Sequence, residues 1–287
     1  MKKIYILGSV NTDLSITADR FPRVGETLVG RDFVCSHGGK GLNQAIAAAR
    51  LGGTVKMCAC VGDDVFGEEA IKLLNKEGVD TECIIKRNNL PTGSAMITLV
   101  NGQNSIIISG GANQSITVEQ ISAFLKDANE GDIFLTQLEN NIYATGKALA
   151  LAKSKKMFVV LNPAPANKKI VPFLQYCDLI TPNETEVDLM GGEDNLKKLV
   201  PNILITLGPK GYKIINKEVN EVFPCIKVEV VDTVAAGDTL CGGLVAELAA
   251  GASLLDAARF GSKAASISCT KRGAEASIPE KELVEQA

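Results

Sequence analysis

The residues best suited to chemistry lie in Ala235-Ala236-Gly237-Asp238, directly before the helical run Thr239–Ala250. Small residues at a helix start leave its first backbone N–H groups open. The helix dipole adds positive potential there, so the turn could hold a phosphate. Asp238 in the first helical turn has two readings. It stabilises the helix start, as acidic residues there commonly do, or it takes a proton from a hydroxyl that attacks the phosphate. The residues around it do not separate the two.

Other polar constellations are equally open one by one. Gly38-Gly39-Lys40-Gly41 precedes a helical pattern and permits close backbone approach, and Lys40 could meet an anion or a hydroxyl. It is not a Walker A loop, because Gly41 stands where Ser or Thr is required and the glycine spacing before it is wrong. Asn183-Glu184-Thr185-Glu186 reads as a capping box, or as two side chains facing a hydrated Mg²⁺–phosphate at one helix end. Leu207-Gly208-Pro209-Lys210-Gly211 is an ordinary turn or a backbone approaching a nucleotide. Asn11 and Asp13 follow the first apolar strand, either as surface caps or at the carboxyl end where α/β sheets bind ligands. His37 reads as a loop residue with no assigned role.

The elements that would position these residues alternate regularly. Ile4–Leu7, Lys56–Val61, Ile133–Leu138, Phe158–Leu161, Leu179–Ile180 and Ile203–Leu207 read as short buried strands. Gly41–Leu51, Gly67–Glu77, Tyr143–Ser154 and Asn183–Met190 show helical periodicity between them. Such alternation implies an α/β fold, a mostly parallel central sheet with helices on both faces. Tyr212–Ile215 and Lys227–Val231 read as later, antiparallel strands. Two stretches break the rhythm: Leu14–Cys35, with strand-like Leu14–Thr17 and Thr27–Val29, and Ala95–Ser109, a hairpin around Asn101-Gly102. Together they predict a small inserted β-sheet. The expected division is residues 1–13, 36–94 and 110–287 in the α/β domain, with 14–35 and 95–109 in the small sheet.

Composition bounds the function. The chain has 287 residues, 46% hydrophobic, enough for a sizeable core. Net charge is −3 with no basic block, which argues against nucleic acid or an anionic membrane as the main partner. Eight cysteines without a C-x-x-C pair, and a single histidine, exclude a zinc site of ordinary spacing and fit reduced thiols in a cytoplasmic protein. The apolar run after Met1-Lys2-Lys3 is too short for a secretory signal and reads as a first strand. No apolar run is long enough to span a membrane.

Taken in order, six segments resemble the PfkB-type carbohydrate kinases. They are Gly8–Asp13, Gly38–Ala45, Val61–Asp64, Asn162–Pro165, Thr181–Glu186 and Asp232–Thr239, and they run through essentially the whole chain. The resemblance implies transfer of the γ-phosphate of ATP to O5 of a small pentose, D-ribose, in the presence of Mg²⁺. Asp238 would be the general base, and Ala235, Ala236 and Gly237 the anion hole. Asn11, Asp13, Gly39, Lys40, Asn43 and Glu139 match sugar-binding positions. Asn183, Thr206, Gly208, Gly211, Gly237 and Ser262 match the nucleotide side, with Glu186 associated with magnesium. Ser262 stands where many relatives carry asparagine near the adenine.

The resemblance further implies a monovalent cation, potassium, beside the anion hole. Asp232 and Val234 in one loop and Cys269, Arg272, Gly273 and Ser277 in another match its positions. The small sheet matches a lid that covers the sugar and pairs in a homodimer. Gly191–Asn202 is shorter than usual, so a peripheral helix should be truncated there. Kinases for 2-deoxyribose, another sugar or a nucleoside share these features. A non-catalytic sugar sensor would not need to keep Asp238, Gly237, Lys40 and Glu186.

Overall fold

Successive side chains of a strand point to opposite faces, and in the first strand both sets are apolar. Ile4 and Ile6 enter one apolar core, while Tyr5 and Leu7 enter another. Apolar residues on both faces mean that both faces are covered, as parallel sheets require. The computed structural model describes all residues, Met1–Ala287.

The first half of the chain runs β1 (Lys3–Leu7), β2 (Asn11–Thr17), β3 (Arg31–Gly38), α1 (Lys40–Arg50), β4 (Thr54–Gly62), α2 (Val65–Lys76) and β5 (Asp80–Arg87), then the hairpin β6 (Gly93–Val100) and β7 (Gln103–Ser109). It continues with α3 (Val118–Phe124), β8 (Ile133–Thr136), α4 (Ile142–Ser154), β9 (Phe158–Leu161), β10 (Leu179–Ile180), α5 (Glu184–Leu189) and α6 (Glu193–Leu199). The last part holds β11 (Asn202–Thr206), β12 (Tyr212–Ile215), β13 (Asn220–Phe223), α7 (Ala236–Ala250), α8 (Leu254–Ser268) and α9 (Lys281–Gln286).

Nine strands form the main sheet in the order β13-β12-β11-β10-β9-β8-β1-β4-β5. It is parallel from β11 to β5, and β12 and β13 add antiparallel strands at one edge. One face is covered by α1, α7 and α8 through Leu42, Ile46, Leu244 and Ala257. The other is covered by α3 and α4 through Ile121, Phe124, Ala148 and Leu149. The helix α7 shows no polar stripe through its middle turns because it is enclosed between α1 and α8.

A second sheet, ordered β3-β2-β6-β7, leaves the carboxyl end of β1 after Gly8-Ser9-Val10. Only β2 and β6 lie inside it, and β7 is exposed along its whole length. The hairpin β6–β7 turns at Asn101 and Gly102, both with positive φ, as the Asn-Gly pair requires.

Several expectations change. Thr27–Val29 is not a strand: β3 starts at Arg31, and Val29 is 97% exposed with no ladder to join. Lys227–Val231 forms none either. The Val231 and Asp232 amides instead donate to the Cys269 carbonyl, which holds this segment to the end of α8. The expected strand Ile133–Leu138 ends at Thr136. His37 lies within β3, opposite Thr12, and not in a loop. Asn11 and Asp13 belong to β2 itself. The strand β5 was not anticipated, and α6 is a seven-residue helix in the shortened segment. All eight cysteines are free. No helix is long and apolar enough to cross a membrane.

Candidate active site

The site is built where α1 and α7 begin. Gly39 holds φ of 91° and provides no side chain to cap α1. Gly8 and Gly41 let the helix rest on the end of β1, since a Cβ on either would fall about 2.4 Å from the other's Cα. The cap comes from elsewhere. Glu139 Oε2 accepts from the Lys40 amide at 3.0 Å and from Ser9 Oγ at 2.5 Å, while Ser9 Oγ accepts from the Gly41 amide at 3.2 Å. The Glu139 carboxylate thus neutralises the positive end of α1.

At the start of α7, Ala235 adopts the left-handed conformation, with φ 60° and ψ 7°, which an alanine adopts at a cost of about 1–2 kcal/mol. That turn aims the first amides of α7 out of the helix, and those of Gly237 and Asp238 meet no backbone acceptor. A strained residue beside open donors is the geometry of an anion site. Asp238 is 6% exposed, and its carboxylate is gripped from α1: Asn43 Nδ2 donates to Oδ2 at 3.1 Å and Gln44 Nε2 to Oδ1 at 2.9 Å.

A cavity of about 200 Å³ opens in front of these groups. Lys40, Asn183, Glu186, Thr206, Ala235 to Asp238 and Cys241 line it. The Asp238 carboxylate, and then Glu139 and Glu186, raise the Lys40 ammonium against the opposing effect of its burial. Burial raises the Glu186 carboxyl, opposed by the Asn183 amide and by Lys40. Burial also pushes the Cys241 thiol up to about 12, so it is a packing group and not a nucleophile. The reciprocal capping box of Asn183 and Glu186 is formed, and both residues also line the cavity.

Asn11 and Asp13 lie at the base of the small sheet on alternate residues of β2. Asn113 fixes Asn11 by donating to its Oδ1 at 2.8 Å. The Asp13 carboxylate lies so close to Gly38 that a Cβ there would sit 2.4 Å from Oδ2. Burial, then the charges of Glu139 and Glu275, raise Asp13 to about 6.

The two expected cation loops are adjacent. Asp232 Oδ1 accepts from Val234 N and Oδ2 from Gly273 N, both at 3.1 Å. The Ser277 hydroxyl donates to Ala274 O. Thr206 lines the cavity, while Gly208 and Gly211, both with positive φ, form the turn beyond it. Ser262 is buried in α8 and does not line the cavity. Sequence reasoning missed Gln44, Asn113, Gln137 and Asn162. Gln44 and Asn162 lie inside segments that carry the family resemblance but were given no role, and the only signal for Asn113 and Gln137 was an amide inside an apolar or small-residue stretch.

The profile of the pfkB family carbohydrate kinase matches residues 1–281. The chain belongs to the pfkB family of carbohydrate kinases. Among pfkB kinases it is 37% identical to the ribokinase of Haemophilus influenzae over 292 residues, covering 97% of this chain and 95% of that one. The crystal structure of Thermotoga maritima ribokinase superposes with a TM-score of 0.89 at 36% identity, covering 100% and 99% of the two chains. Arabidopsis thaliana ribokinase, solved with ribose and ATP, gives 0.88 at 27% identity, covering 99% and 98%. The large, mostly parallel sheet with its surrounding helices and the small antiparallel sheet therefore match ribokinase structures.

Proposed function

We propose that this protein is an ATP-dependent ribokinase, transferring the γ-phosphoryl group of ATP to O5 of D-ribose to give D-ribose 5-phosphate and ADP. One observation carries the reading: the Asp238 carboxylate is fixed beside the open amides of α7, in a cavity shared with Lys40 and Glu186. The ribokinase relatives supply the substrate class.

In this reading Asp238 takes the proton of the attacking hydroxyl as the phosphorus–oxygen bond forms. The amides of the Ala235–Gly237 turn take up charge on the transferring group, and Lys40 offsets the carboxylates around it. Asn11, Asp13, Gly39, Asn43 and Glu139 hold the sugar. Asn183, Thr206, Gly208, Gly211 and Ser262 serve the nucleotide side. Magnesium fits a cavity that carries the Glu186 carboxylate beside that of Asp238 and has room for phosphates, because Mg²⁺ keeps most of its waters and needs only one or two protein carboxylates. When bound it neutralises phosphate charge. Mostly backbone oxygens of Asp232, Val234, Cys269, Arg272, Gly273 and Ser277 would hold a monovalent cation such as potassium, which would brace the anion hole; the support is that Asp232 joins the two loops through the Val234 and Gly273 amides.

Residues 14–35 and 95–109 act as the lid over a body made of 1–13, 36–94 and 110–287. The lid's exposed apolar strands support a homodimer formed through it, and the enzyme works in the cytoplasm. A coupled ADP-release assay across ribose, 2-deoxyribose, fructose and adenosine tests the reading. Ribose should give the highest kcat/KM. A preference for deoxyribose or adenosine would reassign the substrate, and no turnover of any would leave only a sugar-binding protein.

A further inference from the structure

Four buried polar side chains tie the carboxyl ends of β8, β9 and β10 to α1 and α7. Their hydrogen bonds have a direction that one backbone atom fixes. The Thr181 carbonyl can only accept, so the group that meets it at 2.9 Å must be Asn162 Nδ2. Asn162 Oδ1 is thereby turned toward Gln44, and only the nitrogen end of Gln44 can meet it, at 3.1 Å. The same Gln44 Nε2 lies 2.9 Å from Asp238 Oδ1. Gln44 Oε1, facing the other way, accepts from Gln137 Nε2 at 2.6 Å. Gln44 and Gln137 are 0% and 1% exposed, so no solvent competes for these groups.

We propose that Gln44 is a positioning residue for phosphoryl transfer: its amide, oriented through Asn162 by the Thr181 carbonyl, holds Asp238 where it can receive the sugar proton. The inference rests on Asp238 being the base, as proposed above. Gln44 does not line the cavity, and its side chain hydrogen-bonds only Asn162, Gln137 and Asp238, none of them a position assigned to sugar or nucleotide contact except the base itself. Its effect should therefore appear in kcat and in the protonation of the base, with the sugar KM near its normal value. A donor to a carboxylate favours the ionised form, and a second carboxylate at the same distance opposes it.

The test compares the pH profiles of kcat for the wild type, Gln44→Met and Gln44→Glu, with Asp238→Asn as a control and thermal melts to identify folded variants. Asp238→Asn should lose at least about a hundredfold in kcat. Gln44→Glu should move the acid limb of kcat upward by about 1–3 pH units, and Gln44→Met by less, in the same direction. Acid limbs that stay in place in folded Gln44 variants, with Asp238→Asn inactive, would overturn the role of Gln44 alone. An active Asp238→Asn enzyme would instead remove the base reading, and the inference with it. In the unaltered protein, the Gln44 side-chain amide resonance should titrate with the midpoint of the acid limb. A flat resonance through that range would overturn the proposal even if neither variant folds.

Discussion

Asn113 Nδ2 donates to Asn11 Oδ1 at 2.8 Å, and Asn113 is itself locked to Val10 by contacts of 2.9 Å with its amide and 3.1 Å with its carbonyl. The oxygen of Asn11 is therefore committed inward, and its Nδ2 is the end left to donate to a sugar oxygen. Asn113→Asp keeps the contact with the Val10 amide but sets an acceptor against Asn11 Oδ1. The Asn11 side chain must then turn over or move. Losing one such contact costs about 1–3 kcal/mol, so the sugar KM should rise by about fivefold to a hundredfold. Steady-state kinetics should show the KM for ATP little changed. An equal rise in both constants would mean general loosening of the site and not a loss of sugar recognition.

Asp13, proposed above to hold the sugar, carries its charge at a cost to the fold. Its carboxyl is raised to about 6 by burial first and then by Glu139 and Glu275. Between the ordinary carboxylate value of about 3.9 and about 6, the folded protein binds more protons than the unfolded chain. Stability from this group is therefore fully present at low pH and is lost as pH rises through that window. Asp13→Asn should melt higher than the wild type at about pH 8, with the gap closing toward about pH 4. Sugar binding has the opposite sign, because a carboxylate accepts from hydroxyls and a protonated acid does so less well. The wild-type sugar KM should rise as pH falls through about 6. Melting curves and KM across pH check both signs, and parallel curves for the two proteins would remove Asp13 as the cause.

The small sheet predicts assembly. Phe33, Met96 and Ile107 are 65%, 55% and 73% exposed, and β7 is an uncovered edge strand carrying Ile106, Ile107 and Ile108 in a row. Soluble proteins seldom leave such an edge unpaired. Sedimentation at micromolar concentration should show a dimer, and Ile107→Lys should shift it to monomer with the fold intact. A monomeric wild type, or a dimer indifferent to Ile107→Lys, would place the interface elsewhere.

The main sheet was legible because each buried strand and each helix between them leaves a local apolar pattern, and Asn101-Gly102 marks its turn by itself. The misses were decided by partners distant in sequence. Asp80–Arg87 is half polar, and only its place beside β4 makes it a strand. Lys227–Val231 has the apolar alternation but no ladder to join. At the site, Lys40 and Asp238 stood out because small residues surround them, whereas Asn43 entered only through the family resemblance. Gln44 did not stand out, because its meaning comes from Asp238, 194 residues away, and from Asn162, 118 residues away. Asn113 was hidden in the same way, since its partners lie on β2 and just before it.

Gly237 separates the two readings of the α7 turn. It lies in the first turn of the helix, and a Cβ built on it would meet nothing within 4 Å. Glycine inside a helix costs about 0.5–1 kcal/mol relative to alanine, so Gly237→Ala should leave the fold unstrained and slightly more stable. Gly237 lines the cavity with Lys40 and Thr206, so the new methyl is added in open space at the cavity wall. A phosphoryl group that the Gly237 and Asp238 amides are to receive would be held off by the methyl. Losing one preorganised donor typically costs about 10²–10³ in kcat, and displacement without loss should cost at least about tenfold. The expected pattern is a higher Tm with a lower kcat, which a purely structural helix start cannot produce. A Gly237→Ala enzyme that melts higher and turns over normally would show that the turn does not contact the transferring group.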